Sequence, residues 1–178
     1  MFNKGIKNLV LLGLTLLAFS AFAQAQTPVS FSLSVKPAKV KAGDKLTAQI
    51  SASIGGSWHV YSITQGAGGP VPTRITVGEG VFKAAGAASG SAAKREMDAN
   101  FGIETETYTG SASFSIPVAV DSTAQPGAQD LTINVRYQAC NDKVCLPPKT
   151  VKVSATVEIV AAATTSTIPP SIQTRQLR

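Results

Sequence analysis

The chain has 178 residues, 44% of them hydrophobic and 15% charged, with 6% aromatic residues, 15 Gly, 10 Pro and two Cys. That is room for one ordinary domain, and the low charge with scattered apolar residues excludes a disordered polyampholyte. After position 30 there is no apolar run of about 18 residues, which excludes a multispan membrane protein.

Residues 1–25 read as a secretory signal peptide. Lys4 and Lys7 precede an apolar stretch from Leu9 to Ala23, and two overlapping cleavage sites, Ala21-Phe22-Ala23 and Ala23-Gln24-Ala25, would start the mature chain at Gln24 or Gln26. The apolar stretch is shorter than the ~20 residues of a spanning helix, and no cysteine stands at the mature start to carry a lipid, so export is expected rather than anchoring. Losing Lys4 and Lys7 lowers the formal charge from +6 to +4. With no Lys/Arg run and no basic-aromatic stripe, nucleic acid is not an expected partner.

From Val29 to Val160 the pattern has period two, interrupted by Gly, Pro, Asn and Asp. Phe31–Val35 alternates cleanly, Lys41–Asp44 turns the chain, and Leu46–Ile54 alternates again. Trp58–Ile63, Ile75–Val77 and Val81–Phe82 are further candidate strands, and Tyr108–Val120 reads as one long strand. Leu131–Ala139 and Val151–Ile159 carry the strongest alternation. No window has a helical period, and seven to nine strands at this spacing predict an all-β sandwich over residues 28–160, with a closed barrel as the competing architecture. Gly78–Asn100, rich in Gly, Ala and Ser, reads as a long mobile connection. Residues 161–178, with Ile168-Pro169-Pro170, read as a disordered tail or tether that folding does not need.

The only histidine, His59, has no attached nucleophile motif, so hydrolase chemistry is not expected; it reads as a partly exposed strand residue. Glu104 and Glu106 share a strand face as solvated charge. There is no phosphate loop and no zinc spacing.

Cys140 and Cys145 are different. They flank Asn141-Asp142-Lys143-Val144, turn-forming sequence between the two strongest strands, so they should face one another across a hairpin. Apolar residues occupy odd positions from Leu131 onward, which predicts Cys140 on the solvent side. Pro147 and Pro148 should interrupt pairing just beyond Cys145. A six-residue ring constrains the unfolded chain by only about 2 kcal/mol, little for a staple. On composition alone, a structural disulfide and an exchanging pair stand level.

Tyr137-Gln-Ala-Cys-Asn-Asp-Lys-Val-Cys-Leu-Pro-Pro-Lys-Thr150 resembles the active-site hairpin of the periplasmic N-terminal domain of the DsbD thiol:disulfide interchange family, with the pattern Tyr-Gln-x-Cys, a short spacer, then Cys-x-Pro-Pro. Gly56-Ser-Trp-His-Val-Tyr61 and Asp98-Ala-Asn-Phe-Gly102 followed by Tyr108 resemble further segments of that family in the same order. The resemblance implies an immunoglobulin-like antiparallel β-sandwich. It also implies a periplasmic electron relay, of protein-disulfide reductase type and without a bound cofactor, in which Cys145 forms mixed disulfides and Cys140 resolves them. Phe101 would be the aromatic of a cap loop, Asp98 its nearby acid, and Tyr61 would line the same pocket. Implied partners are thioredoxin-fold periplasmic proteins, namely disulfide isomerases and cytochrome c maturation factors, and a membrane-embedded electron donor; no small-molecule substrate is expected. That family continues into a multispan domain and a thioredoxin-like domain. This sequence has neither such spans nor a Cys-x-x-Cys centre, so the donor is expected on a separate chain. Two alternatives stay open: an exported binding sandwich with a structural disulfide, and a Cu(I) module in which both thiolates act with His59 or Met97.

Overall fold

The computed structural model describes residues 27–161. The expected signal peptide and all but the first residue of the expected tail lie outside the described residues.

Thirteen strands follow in order: β1 (Val29–Lys36), β2 (Lys39–Lys41), β3 (Lys45–Ile54), β4 (His59–Tyr61), β5 (Arg74–Val77), β6 (Phe82–Ala84), β7 (Ser89–Gly90), β8 (Lys94–Asp98), β9 (Ile103–Thr109), β10 (Ser111–Val120), β11 (Gly127–Tyr137), β12 (Ala139–Cys140) and β13 (Lys149–Val160). They form three sheets, ordered β1-β3-β10-β6 with β7 also on β10, then β2-β13-β11-β5, then β12-β4-β9-β8. Every pairing is antiparallel except β2 with β13.

The first two sheets make the expected immunoglobulin-like sandwich. Alternation turns Leu46, Ala48, Ile50, Ala52 and Ile54 of β3 inward beside Phe114, Ile116 and Val118 of β10, against Leu131, Ile133 and Val135 of β11. These side chains belong to one core, and each fully buried aliphatic one contributes about 1.5–3 kcal/mol of transfer free energy. Phe31 of β1 meets Tyr137 of β11 across the sandwich, ring centroids 5.0 Å apart.

The structure departs from the sequence reading in four places. The stretch Tyr108–Val120 is not one strand: Gly110, at φ +67°, breaks it, and the chain passes from the third sheet to the first. The left-handed conformation is accessible to glycine without a Cβ penalty, and its carbonyl accepts the Ile54 N–H at 2.8 Å. Trp58–Ile63 contributes only the three residues of β4. Gly78–Asn100 is a correction of the expected mobile connection, since it contains β6, β7 and β8. Strands of two to five residues are too short to display alternation; β7 is Ser-Gly and β8 is almost wholly charged, so neither shows an apolar pattern. Cys140, expected towards solvent, is 0% exposed. After Tyr137 the chain leaves β11 and pairs with β4 of the third sheet, so the odd-even phase of β11 does not carry into β12.

Candidate functional site: the third sheet and its two hairpin loops

The third sheet sets the cysteine hairpin, through β12 on β4, beside a polar network. In β12, Ala139 pairs with Val60 and Cys140 with His59, and β4 in turn pairs with β9 through His59↔Thr109 and Tyr61↔Thr107. Cys140 and Cys145 are joined as a disulfide, Cα atoms 4.1 Å apart, across the hairpin that the sequence predicts. Asn141 shapes the turn: its side-chain oxygen accepts the N–H groups of Lys143 at 2.9 Å and Val144 at 3.0 Å. Leu146 N–H donates to the Ala139 carbonyl at 2.9 Å, and pairing with β11 resumes only at Lys149, beyond Pro147 and Pro148. Cys145 is half-buried, so one sulfur is approachable and the other is not.

The second loop, residues 99–102, joins β8 to β9. Asp98 templates it much as Asn141 templates the first: one carboxylate oxygen accepts the N–H of Asn100 at 2.8 Å and of Phe101 at 3.3 Å. Gly102, at φ +65°, closes the turn with its N–H on the Asp98 carbonyl at 2.8 Å. The two loops touch, because the Asn100 side-chain amide donates to the Asn141 carbonyl at 2.9 Å. Phe101 is 38% exposed, outside the core, with its ring edge-on to Tyr61 at 6.1 Å between centroids.

Beneath the loops, Tyr61 donates its hydroxyl to the other Asp98 oxygen at 2.7 Å, and His59 Nε2 lies 3.2 Å from the same hydroxyl and 3.7 Å from that carboxylate. Burial, with the bond to Asp98 and its charge added, pushes the Tyr61 phenol well above its ordinary value, so it stays protonated. Burial also works to raise Asp98, but the Tyr61 hydroxyl, the two loop N–H groups and the neighbouring His59 outweigh it and hold the carboxyl below its ordinary range. A cleft of about 120 Å³ opens beside this network, its wall including His59, Glu96, Met97, Asp98 and Asp142. On the hairpin's other flank lies an apolar groove of about 280 Å³ lined by Trp58, Tyr137, Ala139, Leu146 and Pro147, with Lys149 Nζ 5.7 Å from the Tyr137 ring centre.

The sequence-predicted residues Cys140, Cys145, Tyr61, Asp98 and Phe101 thus converge on one end of the molecule. Glu104 and Glu106 do not join them; both pair with Arg95 on the outer face. Met97 is 70% exposed, and among the described residues no group of three His, Cys, Asp or Glu side chains is arranged to hold a metal ion. The sequence marks Asn141 as a turn residue and Asn100 as part of the Asp98–Gly102 segment, but not their mutual hydrogen bond, and it does not place His59 beside Tyr61 and Asp98. The i,i+2 spacing of His59 and Tyr61, which puts both on one face of a strand, was the available signal.

The large apolar side chains left exposed among the described residues are Met97, Phe101, Ile103, Val144 and Leu146. All five lie in the two hairpins just described.

Among curated proteins none matches the chain. Of solved structures, the N-terminal periplasmic domain of ScsB from Proteus mirabilis is 16% identical with a TM-score of 0.47, covering 74% of this chain and 45% of that one. The chain therefore spans less than half the length of that structure. The reduced N-terminal domain of DsbD from Neisseria meningitidis is 18% identical with a TM-score of 0.43, covering 66% of this chain and 80% of that one. Residues 26–157 match the family described as thiol:disulfide interchange protein DsbD, N-terminal, and with that match across most of its length the chain belongs to this family of thiol:disulfide interchange domains.

Proposed function

We propose that residues 28–160 are a periplasmic exchange module that carries reducing equivalents on the Cys140–Cys145 pair, from a membrane-embedded donor to thioredoxin-fold acceptors such as disulfide isomerases and cytochrome c maturation factors. The observation that carries this reading is the setting of the disulfide: a short ring with one half-buried cysteine, on two touching hairpins that carry the exposed apolar side chains Met97, Phe101, Ile103, Val144 and Leu146. Exposed apolar clusters mark protein docking, and a disulfide placed among them meets a partner's thiol rather than a small solute. Family membership and the apolar groove beside Leu146 support the same reading.

Electrons enter when a donor thiolate attacks Cys145, whose bond to Cys140 breaks; a second donor thiolate then releases the dithiol. In the forward step Cys145 attacks an acceptor disulfide, and Cys140 displaces the acceptor from the mixed disulfide. Phe101 serves as the cap: its loop is tied to the cysteine hairpin through Asn100 and Asn141 and to Tyr61 through Asp98, and a docking partner displaces it.

Two measurements test the reading. A glutathione redox titration should give a midpoint within the glutathione range, whereas a structural bridge would stay oxidised to below about −300 mV. Cys140→Ala, expressed in the native host, should accumulate mixed disulfides on Cys145 with thioredoxin-fold proteins; recovering none would refute the relay.

A further inference from the structure

Cys140 must lose a proton each time it resolves a mixed disulfide, yet it is wholly buried and has no access to water. Burial disfavours the thiolate, so the displacement needs a proton acceptor within the protein. His59 is the cross-strand partner of Cys140 in the β4–β12 ladder, and directly paired residues of antiparallel strands present their side chains on one face at neighbouring positions. Its own side chain is 13% exposed and forms part of the wall of the solvent-open cleft. Register thus sets His59 beside a sealed thiol, and its imidazole stands at the wall of a cleft open to water.

The hydrogen bonds also fix which ring nitrogen is available. The single Tyr61 hydroxyl proton goes to Asp98, so at the 3.2 Å contact the hydroxyl oxygen accepts and His59 Nε2–H donates. In the neutral ring that leaves Nδ1 as the lone-pair atom. The groups facing the ring are Tyr61 from its own strand, Asp98 and Glu96 from β8, the latter paired with Lys94, and Asp142 from the cysteine hairpin; β9 presents Thr107 and Thr109. Asp98 is held ionised by its own donors.

We infer that His59 is the proton acceptor for Cys140 in the exchange reaction, oriented for it by the Tyr61–Asp98 pair. This rests on the redox-pair reading above. As Cys140 sulfur attacks Cys145 sulfur in the mixed disulfide, its proton passes to His59 Nδ1. The Cys140–Cys145 bond forms, the bond from Cys145 to the partner's sulfur breaks, and the electron pair departs on that sulfur as thiolate. The imidazolium then releases its proton to the cleft. In the reverse direction the same imidazolium protonates Cys140 as a donor thiolate expels it from the disulfide.

The test uses the reduced protein with 5,5′-dithiobis(2-nitrobenzoate) as a stand-in for the partner disulfide. The first thionitrobenzoate released reports attack by Cys145, and the second reports resolution by Cys140. His59→Gln is expected to lower the ratio of second-phase to first-phase rate about 10-fold or more near pH 7, within the range for general base catalysis, and the deficit should close towards pH 10 as the thiol ionises unaided. In the wild type the second phase should already proceed below the pH at which a thiol ionises unaided, about 8. Superimposable pH profiles for wild type and variant would overturn the assignment. Should His59→Gln not fold, His59→Asn is the replacement; should neither fold, a wild-type second phase that rises only above about pH 8, with the thiol itself, overturns it. Absence of any second release in the wild type would instead remove the redox-pair reading on which the inference stands.

Discussion

The strands of the sandwich bury apolar side chains alone, whereas the third sheet buries polar ones beside its apolar Val60, Tyr108 and Ala139. In the sandwich, the inner positions of β3, β10 and β11 are Leu, Ile, Val, Ala, Phe and Tyr. The buried polar residues, Ser62, Thr73, Asp98, Thr105 and Thr107, lie in the third sheet or bond to its backbone, Ser62 through Glu106 and Thr73 through Tyr61. The surface differs as well, since the exposed large apolar residues belong to the loops at the third sheet's end. Apolar burial is strong and undirected, whereas buried hydrogen bonds contribute modestly to stability and dictate geometry. One region supplies the free energy of folding; the other uses part of it to hold two loops in a set relation.

That contrast is most severely tested by core truncation. Ile50→Ala, at a position with no solvent exposure, is expected to cost about 2–5 kcal/mol in urea unfolding, with thiol reactivity unchanged while the protein remains folded. A change in reactivity of the folded protein would mean that the two regions are not separable. Next in size is Asp98→Asn, which weakens the bonds to Tyr61 and to the Asn100 and Phe101 amides and should cost about 1–3 kcal/mol. Its pH signature is specific. Because Asp98 is held below its ordinary range in the folded protein, its contribution is complete above the unfolded-state pKa and is lost as pH falls through the lower folded value. Stability of the wild type should therefore drop on the acid side of the ordinary aspartate range, and Asp98→Asn should flatten that limb; parallel curves would show that the carboxylate is not paired as described.

The sandwich was legible in sequence because its signal is additive. Leu46 to Ile54 and Leu131 to Tyr137 repeat one alternation over many residues, so local errors do not matter. The third sheet offers no such redundancy. β4 has three residues and β12 two, their pairing is set by contacts distant in sequence, and Cys140 takes its orientation from β4 rather than from the strand preceding it. What could be read there was motif: the cysteine spacing, the Asp-Ala-Asn-Phe-Gly loop and Tyr61. His59 stayed hidden because its importance lies in register, which a lone strand of three residues does not reveal.

Two smaller effects sharpen the contrast within the third sheet itself. Gly102→Ala forces a Cβ into the left-handed region and should cost about 1 kcal/mol, with faster reaction of the reduced cysteines as the loop loosens. Phe101→Ala, at a site 38% exposed, should move the urea midpoint by under about 1 kcal/mol in stability yet raise the reaction rate with a small disulfide reagent several-fold. Unchanged reactivity in Phe101→Ala would sink the cap assignment, and a loss of about 3–5 kcal/mol would return the ring to the core.

β8 forms the outer edge of the third sheet, hydrogen-bonded only to β9, and four of its five residues, Lys94, Arg95, Glu96 and Asp98, carry charge. A free strand edge invites any extended chain to add to it, and charged side chains along the edge oppose that addition. The charges on β8 make this edge, across the sheet from the β12 edge that carries Cys140, a poor template for strand addition.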